Sequence, residues 1–293
     1  VINGAFLINK PKFVTSNEVL MLLKKKINIK KAGILGILDP LATGILPIIV
    51  GQATKYIIYI ENDKKAYEVK SKLGVFSECG DFEFEPRIYI DEKPIIKNLT
   101  EKAIEETFKS FIGDYLQIPP MHSNIKYKGK PLHSYARKNI TINREARKRK
   151  IYDLKFNYLN DDILSFSVIC SSGTYVRTLI QDISNKWGLH SCLYELHRSQ
   201  VQPFYNCPIV SLDALDIERI NEYIIPIPDM LCNLFKLVCT DDEVNKLHKG
   251  LTIDNKHDLP EETLCRILDK NNNFHGVGII TNNHLYPKRL MKR

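Results

Sequence analysis

Between Ile34 and Val50 the chain carries one ionisable side chain, Asp39, set between Leu38 and Pro40. An Asp-Pro pair is ordinarily a surface turn with polar neighbours. Here the neighbours are Leu, Ile, Ala and Val, so the segment must be largely buried and must carry the carboxylate in with it. A charge in such company is costly unless paired, and the segment holds no cation of its own. The fold therefore has to deliver one from elsewhere in the chain. Gly33, Gly36 and Gly44 let the backbone bend tightly and let a ligand approach.

The 293 residues suffice for one large domain and a small one. A composition of 44% hydrophobic and 26% charged residues is that of a globular protein. No apolar run nears the roughly 20 residues that span a bilayer, and no stretch reads as a signal peptide, so a cytoplasmic protein is expected. The seven cysteines include no Cys-x-x-Cys pair, and no His cluster has ligand spacing, so reduced thiols and no metal are expected. Neither a P-loop nor a dinucleotide fingerprint occurs, so no cofactor is expected. Charge is unevenly placed. Residues 124–150 hold ten Lys or Arg and one acid, Glu145, against +8 for the whole chain. A concentrated basic stretch of one sign points to a polyanion, most often a nucleic acid.

Along the chain, residues 5–10 read as a strand, and Thr15 or Ser16 caps a helix to about Lys26. Ile45–Val50 reads as a buried strand and 52–60 as a short helix. From Lys64 to Gly74 the period is two: Tyr67, Val69, Ser71 and Leu73 share one face, and Glu68, Lys70 and Lys72 the other. Thr100 caps a helix to about Ile112, Lys130–Asn139 reads as a helix, 162–170 as a strand, and a helix runs on to about Lys186. Short strands at 251–253, 265–268 and 277–280 mark a small separate unit.

Gly36-x-Leu38-Asp39-Pro40-x-Ala42-Thr43-Gly44-x-Leu46-Pro47, followed by Gly51-x-Ala53-Thr54-Lys55, resembles the signature of the bacterial tRNA pseudouridine synthase B family. Further matches follow in order: Lys10-Pro11, Lys65-x-Tyr67-x-Val69, Pro119-Pro120-x-x-Ser123 with Lys126, Gly173-Thr174-Tyr175-x-Arg177, and Leu196-x-Arg198-x-x-Val201-x-Pro203-Phe204. The likeness covers about residues 4–205. It implies an α+β pseudouridine synthase fold, with a mixed, mainly antiparallel central sheet flanked by helices and loops. Residues 1–235 would form the catalytic domain, with a basic RNA-binding insertion at about 121–150. Residues 236–293 would form a small β-rich, PUA-like RNA-binding domain.

The resemblance implies isomerisation of uridine to pseudouridine in the T loop of tRNA, at uridine 55. Asp39 would be the catalytic residue, as nucleophile or base. Tyr67 would stack on the base and move its proton, and Arg177 would pair with Asp39. Lys10, Leu196, Arg198, Lys126, Lys130, Arg137, Arg144, Arg147, Lys148 and Arg149 would contact the substrate. The T arm of tRNA is the expected partner, with no membrane, no obligatory protein partner and a monomeric state. Four positions depart from the family pattern: Phe13 (usually Gly), Ile34 (usually His), Ser172 (usually Lys) and His197 (usually Arg). They support the competing reading, a catalytically weak or inactive tRNA-folding chaperone. The joint presence of Asp39, Tyr67 and Arg177 argues for the enzyme.

Overall fold

The computed structural model describes residues 2–82 and 86–292. Its centre is a nine-stranded mixed sheet. The strands are β1 (Gly4–Lys10), β2 (Ala32–Ile34), β3 (Thr43–Val50), β4 (Lys64–Leu73), β5 (Gly113–Gln117), β6 (Arg147–Asn160), β7 (Ile163–Ser171), β8 (Ser191–Val201) and β9 (Ile209–Val210). Their order is β9-β1-β3-β8-β4-β7-β6-β5, with β2 also on β3. The β1–β9 and β3–β8 pairs are parallel and the other neighbours antiparallel.

Helix α1 (Ser16–Lys26) starts at a Thr15–Glu18 capping box and buries Val19 and Leu23. Helix α2 (Glu101–Phe111) is capped by Thr100, and its Ile104, Phe108 and Phe111 enter the core at helical spacing. Helix α3 (Val176–Asn185) buries Val176, Leu179, Ile180 and Ile183. Arg177 lies on the same face, one turn before Ile180, so a cation occupies a core position.

One partner edge of β3 is divided. Thr43 and Gly44 pair with His197 and Arg198 of β8, whereas Ile48–Val50 pair with β2. The loop 35–42 leaves the sheet where these partners part. A Cβ at Gly44 (φ +98°) would lie 2.3 Å from the Arg198 carbonyl oxygen, so only glycine allows β3 and β8 to meet there.

A second, five-stranded sheet follows the order β10-β12-β13-β14-β11. It is built from β10 (Phe235–Cys239), β11 (Ile253–Asp254), β12 (Leu264–Asp269), β13 (Phe274–Thr281) and β14 (His284–Leu290). Helix α4 (Asp241–His248) packs against it through Val244 and Leu247. Val277 joins the apolar cluster around Ala5, Ile49 and Tyr56, and Phe274 meets the Tyr56 ring edge-on at 5.2 Å. This sheet is therefore docked on the back of the first. Among the described residues no helix is long and apolar enough to cross a membrane, and no group of three or more His, Cys, Asp or Glu is arranged to hold a metal.

The sequence reading needs revision at several elements. The short helix at 52–60 is of 3₁₀ type, Gly51–Tyr59, and the helix at 130–139 shrinks to Leu132–Ala136. Arg147–Lys150, expected inside the insertion, opens β6 and pairs with residues 114–117 of β5. Backbone pairing makes no demand on side-chain charge, and four exposed or half-exposed cations fit a solvated face. The looped part of the basic region thus ends before Arg147.

Candidate active site

Asp39 is flanked by two core side chains, Leu38 at 4% exposure and, beyond the exposed Pro40, Leu41 at 2%, both in the same cluster as Tyr67, Leu196 and Leu179. The Asp39 side chain stands out between them, 37% exposed. Four tethers fix the loop. Ser16 Oγ accepts from the Leu38 N–H at 2.9 Å and donates to the Leu38 carbonyl at 2.8 Å. The Phe13 N–H donates to the Pro40 carbonyl at 2.8 Å. Lys10 Nζ donates to the carbonyls of Pro11, Val14 and Pro40 at 2.7, 2.6 and 3.0 Å. The Ala42 N–H closes a turn onto the Asp39 carbonyl at 3.1 Å.

Arg177 supplies the cation that the apolar loop requires. Its Nε lies 2.9 Å from Asp39 Oδ2, and its Nη2 3.3 Å from Oδ1, a two-pronged grip. The remaining donors meet backbone: Nη1 to the Cys79 carbonyl at 2.6 Å and Nη2 to the His122 carbonyl at 2.9 Å. A guanidinium has enough donors in one plane to bind a carboxylate and two carbonyls together; an ammonium does not. The side chain is 7% exposed, so water contributes little.

Tyr67 is buried at 7% exposure in β4, whose inward face also carries Lys65, Val69, Ser71 and Leu73. On the outward face Lys70 meets Glu195 at 2.7 Å and Lys72 meets Asp162 at 2.9 Å, so the two-residue period holds along the strand. Burial pushes the Tyr67 phenol up to about 12, and the neighbouring Arg198 guanidinium pulls the other way. Tyr67 is thus a neutral phenol at neutral pH.

Two residues expected to contact substrate belong elsewhere. Lys10 is 0% exposed and spends its donors on the loop carbonyls, as described. Arg198 is 1% exposed; its Nε donates to the Ile45 carbonyl at 2.7 Å and its Nη2 to the Gly36 carbonyl at 2.9 Å. Both brace the Asp39 loop from beneath. Desolvation lowers both, Lys10 to about 8. Lys65, absent from the expected site, is 6% exposed, lowered to about 8 by burial, and donates to Ser172 Oγ at 3.0 Å. Its place two residues before Tyr67 on a period-two strand was the signal that could have found it. Leu196, 7% exposed, packs in the Tyr67 cluster.

Most of the other basic residues are at the surface. Lys126, Lys130, Arg137, Arg147 and Lys148 are exposed. Arg144 donates to the Pro119 carbonyl at 3.1 Å, and the Arg149 guanidinium lies against Gly173. Of the departures, Phe13 is 64% exposed at φ +66°. Ile34 packs beside the Ile48 cluster, and His197 Nδ1 meets Thr43 Oγ1 at 2.9 Å.

This architecture has solved counterparts. A Cbf5-Nop10-Gar1 complex matches over 98% of this chain and 84% of that chain, with a TM-score of 0.72 and 22% identity. An H/ACA RNP bound to a substrate RNA containing 2'-deoxyuridine matches over 99% and 85%, with a TM-score of 0.72 and 20% identity. At such identities the likeness establishes the fold. A model of the TruB family pseudouridylate synthase N-terminal domain matches residues 24–176, and one of the pseudouridine synthase II TruB C-terminal region matches 237–291. The fold and both family matches are those of a pseudouridylate synthase, an isomerase.

Full-length relatives narrow this further. A tRNA pseudouridine synthase B of Hydrogenovibrio crunogenus is 38% identical, over 99% of this chain and 94% of its own. One of Coxiella burnetii is 33% identical, over 100% and 96%. The chain belongs to the TruB family of pseudouridylate synthases.

Proposed function

We propose that this protein converts uridine to pseudouridine in the T loop of tRNA, at uridine 55. One observation carries the reading. A partly exposed carboxylate is held bidentately by a buried arginine, in the same apolar cluster as a buried tyrosine, in a chain of this family. The reaction breaks the N1–C1′ bond, turns the uracil and joins C5 to C1′; C5 loses a proton and N1 ends protonated. No oxidant or phosphoryl donor enters that balance.

Asp39 acts on the sugar, attacking C1′ or removing a proton. Arg177 holds it aimed through the two-pronged contact. Tyr67 stacks on the uracil and passes the C5 proton on; the positive charge of Arg198 nearby favours the transient phenolate. Taking the base out of its stack costs a few kcal/mol, which RNA contacts elsewhere must offset. Lys126, Lys130, Arg137, Arg144, Arg147, Lys148 and Arg149 supply these through phosphates, with residues 236–293 as a second RNA-binding unit. The protein works alone, as a cytoplasmic monomer. Mapping pseudouridine along an unmodified tRNA transcript tests the reading. Product confined to the T-loop uridine is expected. Product elsewhere, or tight binding with no product, overturns it, the latter in favour of a folding chaperone.

A further inference from the structure

Gln117 ends β5 and is 1% exposed. Its amide takes both backbone groups of Tyr175: the Tyr175 N–H donates to Oε1 at 2.8 Å, and Nε2 donates to the Tyr175 carbonyl at 3.0 Å. Nε2 also reaches the Tyr115 hydroxyl at 3.3 Å, whose proton goes to Asp182 of α3. Tyr175 caps the N-terminus of α3 and has no side-chain cap of its own, so these bonds fix where the helix begins. Arg177 stands two residues further on. The segment that leaves Gln117 then returns to the same side chain, because the His122 carbonyl accepts from Arg177 Nη2 at 2.9 Å. One short stretch, 117–122, therefore holds Arg177 both near its backbone and at its head. It runs directly into the looped region that bears Lys126, Lys130, Arg137 and Arg144.

We propose that Gln117 is a positioning residue for the reaction: it sets the entry of α3 and thereby the point at which Arg177 meets Asp39. This rests on the roles proposed above for Asp39 and Arg177. The site needs one acceptor and one donor side by side, which a primary amide has. Leucine has neither, and an ionised glutamate would set an oxygen against the Tyr175 carbonyl. Protonated, glutamate regains a donor. Burial and the Asp182 carboxylate, reached through the Tyr115 hydroxyl, raise the pKa of a glutamate placed there, against the exposed Arg147, which pairs with position 117 from β6 and is screened by solvent.

Gln117→Leu and Gln117→Glu are compared with the wild type on a tRNA transcript, below the melting temperature of each, by single-turnover rate and RNA Kd. In Gln117→Leu the rate should fall about 10- to 100-fold through misplacement of the ion pair, with Kd within about threefold. In Gln117→Glu the rate relative to wild type should climb about tenfold from about pH 8 to about pH 6, as the new carboxyl takes up its proton. A merely structural role would leave that ratio flat. A Gln117→Leu rate within about twofold of wild type, or a flat Gln117→Glu ratio, overturns the proposal. Should Gln117→Leu not fold, the Gln117→Glu ratio decides alone. Product from the wild type with a flat ratio overturns this proposal only; no product from the wild type overturns the catalytic reading and this proposal with it.

Discussion

Arg177 and Lys148 each meet a carboxylate at 2.9 Å, the first Asp39 and the second Asp114. Arg177 is 7% exposed and also binds two carbonyls, whereas Lys148 and Asp114 are 71% and 63% exposed. A solvated pair of this kind contributes about 0–1 kcal/mol. Removing Arg177 strands the buried carbonyls of Cys79 and His122, at about 1–3 kcal/mol for each unsatisfied acceptor, while Asp39, 37% exposed, is relieved in part by water. The same contrast divides the molecule. Around Asp39 every cation is spent on the protein itself, so geometry is fixed before substrate arrives. Along 126–149 most cations are exposed with few protein partners, Arg144, half-buried against the Pro119 carbonyl, being an exception. One region is built to position and the other to attract.

Changes at Arg177 should be the most damaging. Arg177→Gln leaves Asp39 without its cation and both carbonyls short of donors; stability should drop by about 2 kcal/mol or more in denaturant unfolding. The turnover rate should fall about a hundredfold or more. A loss below 1 kcal/mol, the range of a surface pair, would erase the contrast. Tyr67→Phe keeps the stacking ring and removes the hydroxyl, so RNA affinity should hold while product formation slows about a hundredfold. A normal rate would make the hydroxyl dispensable.

Replacing Arg144, Arg147, Lys148 and Arg149 by Gln probes the outward region. Stability should change little, about 1 kcal/mol or less per exposed pair. The slope of log affinity against log salt should flatten by up to about 0.9 for each phosphate no longer neutralised. An unaltered slope would show that these cations face only solvent. The smallest expected effect concerns Lys65, whose pKa is lowered by burial to about 8. Below that value both folded and unfolded chains carry the proton, and burying the charge weakens the fold. Between about 8 and the unfolded value near 10.4 only the unfolded chain keeps it, so wild-type stability from this group rises with pH. Lys65→Met should therefore melt higher than wild type near neutrality, with a margin that shrinks as pH is raised through that window. A margin independent of pH would mean that Lys65 is not a buried charge.

Much of this centre was legible because its rules are local. An apolar loop with one carboxylate demands a cation, and a two-residue alternation places Tyr67 on the inward face of β4. The family motifs supplied Arg177 as the partner. The carbonyls of Cys79 and His122 that complete the guanidinium shell had no sequence signal, since any residue offers the same acceptor. Lys10 and Arg198 were misplaced because lysine and arginine are exposed by default, and their motif says nothing of which way they point. The Arg147–Lys150 run hid a strand for a related reason: its charges masked a backbone that pairs with β5. The strands β10 and β14 went unread because Phe235 and Tyr286–Leu290 sit beside connection-like residues, and only tertiary pairing settles their state.

The central claim is that Asp39, held by Arg177, performs the chemistry while other residues hold the RNA. Asp39→Asn preserves shape and removes the charge, so the direct measurement is pseudouridine formation and RNA binding by this variant beside the wild type on one tRNA transcript. Unchanged binding with product formation lower by about 10³-fold or more would support the claim. Product at a rate near that of the wild type would contradict it.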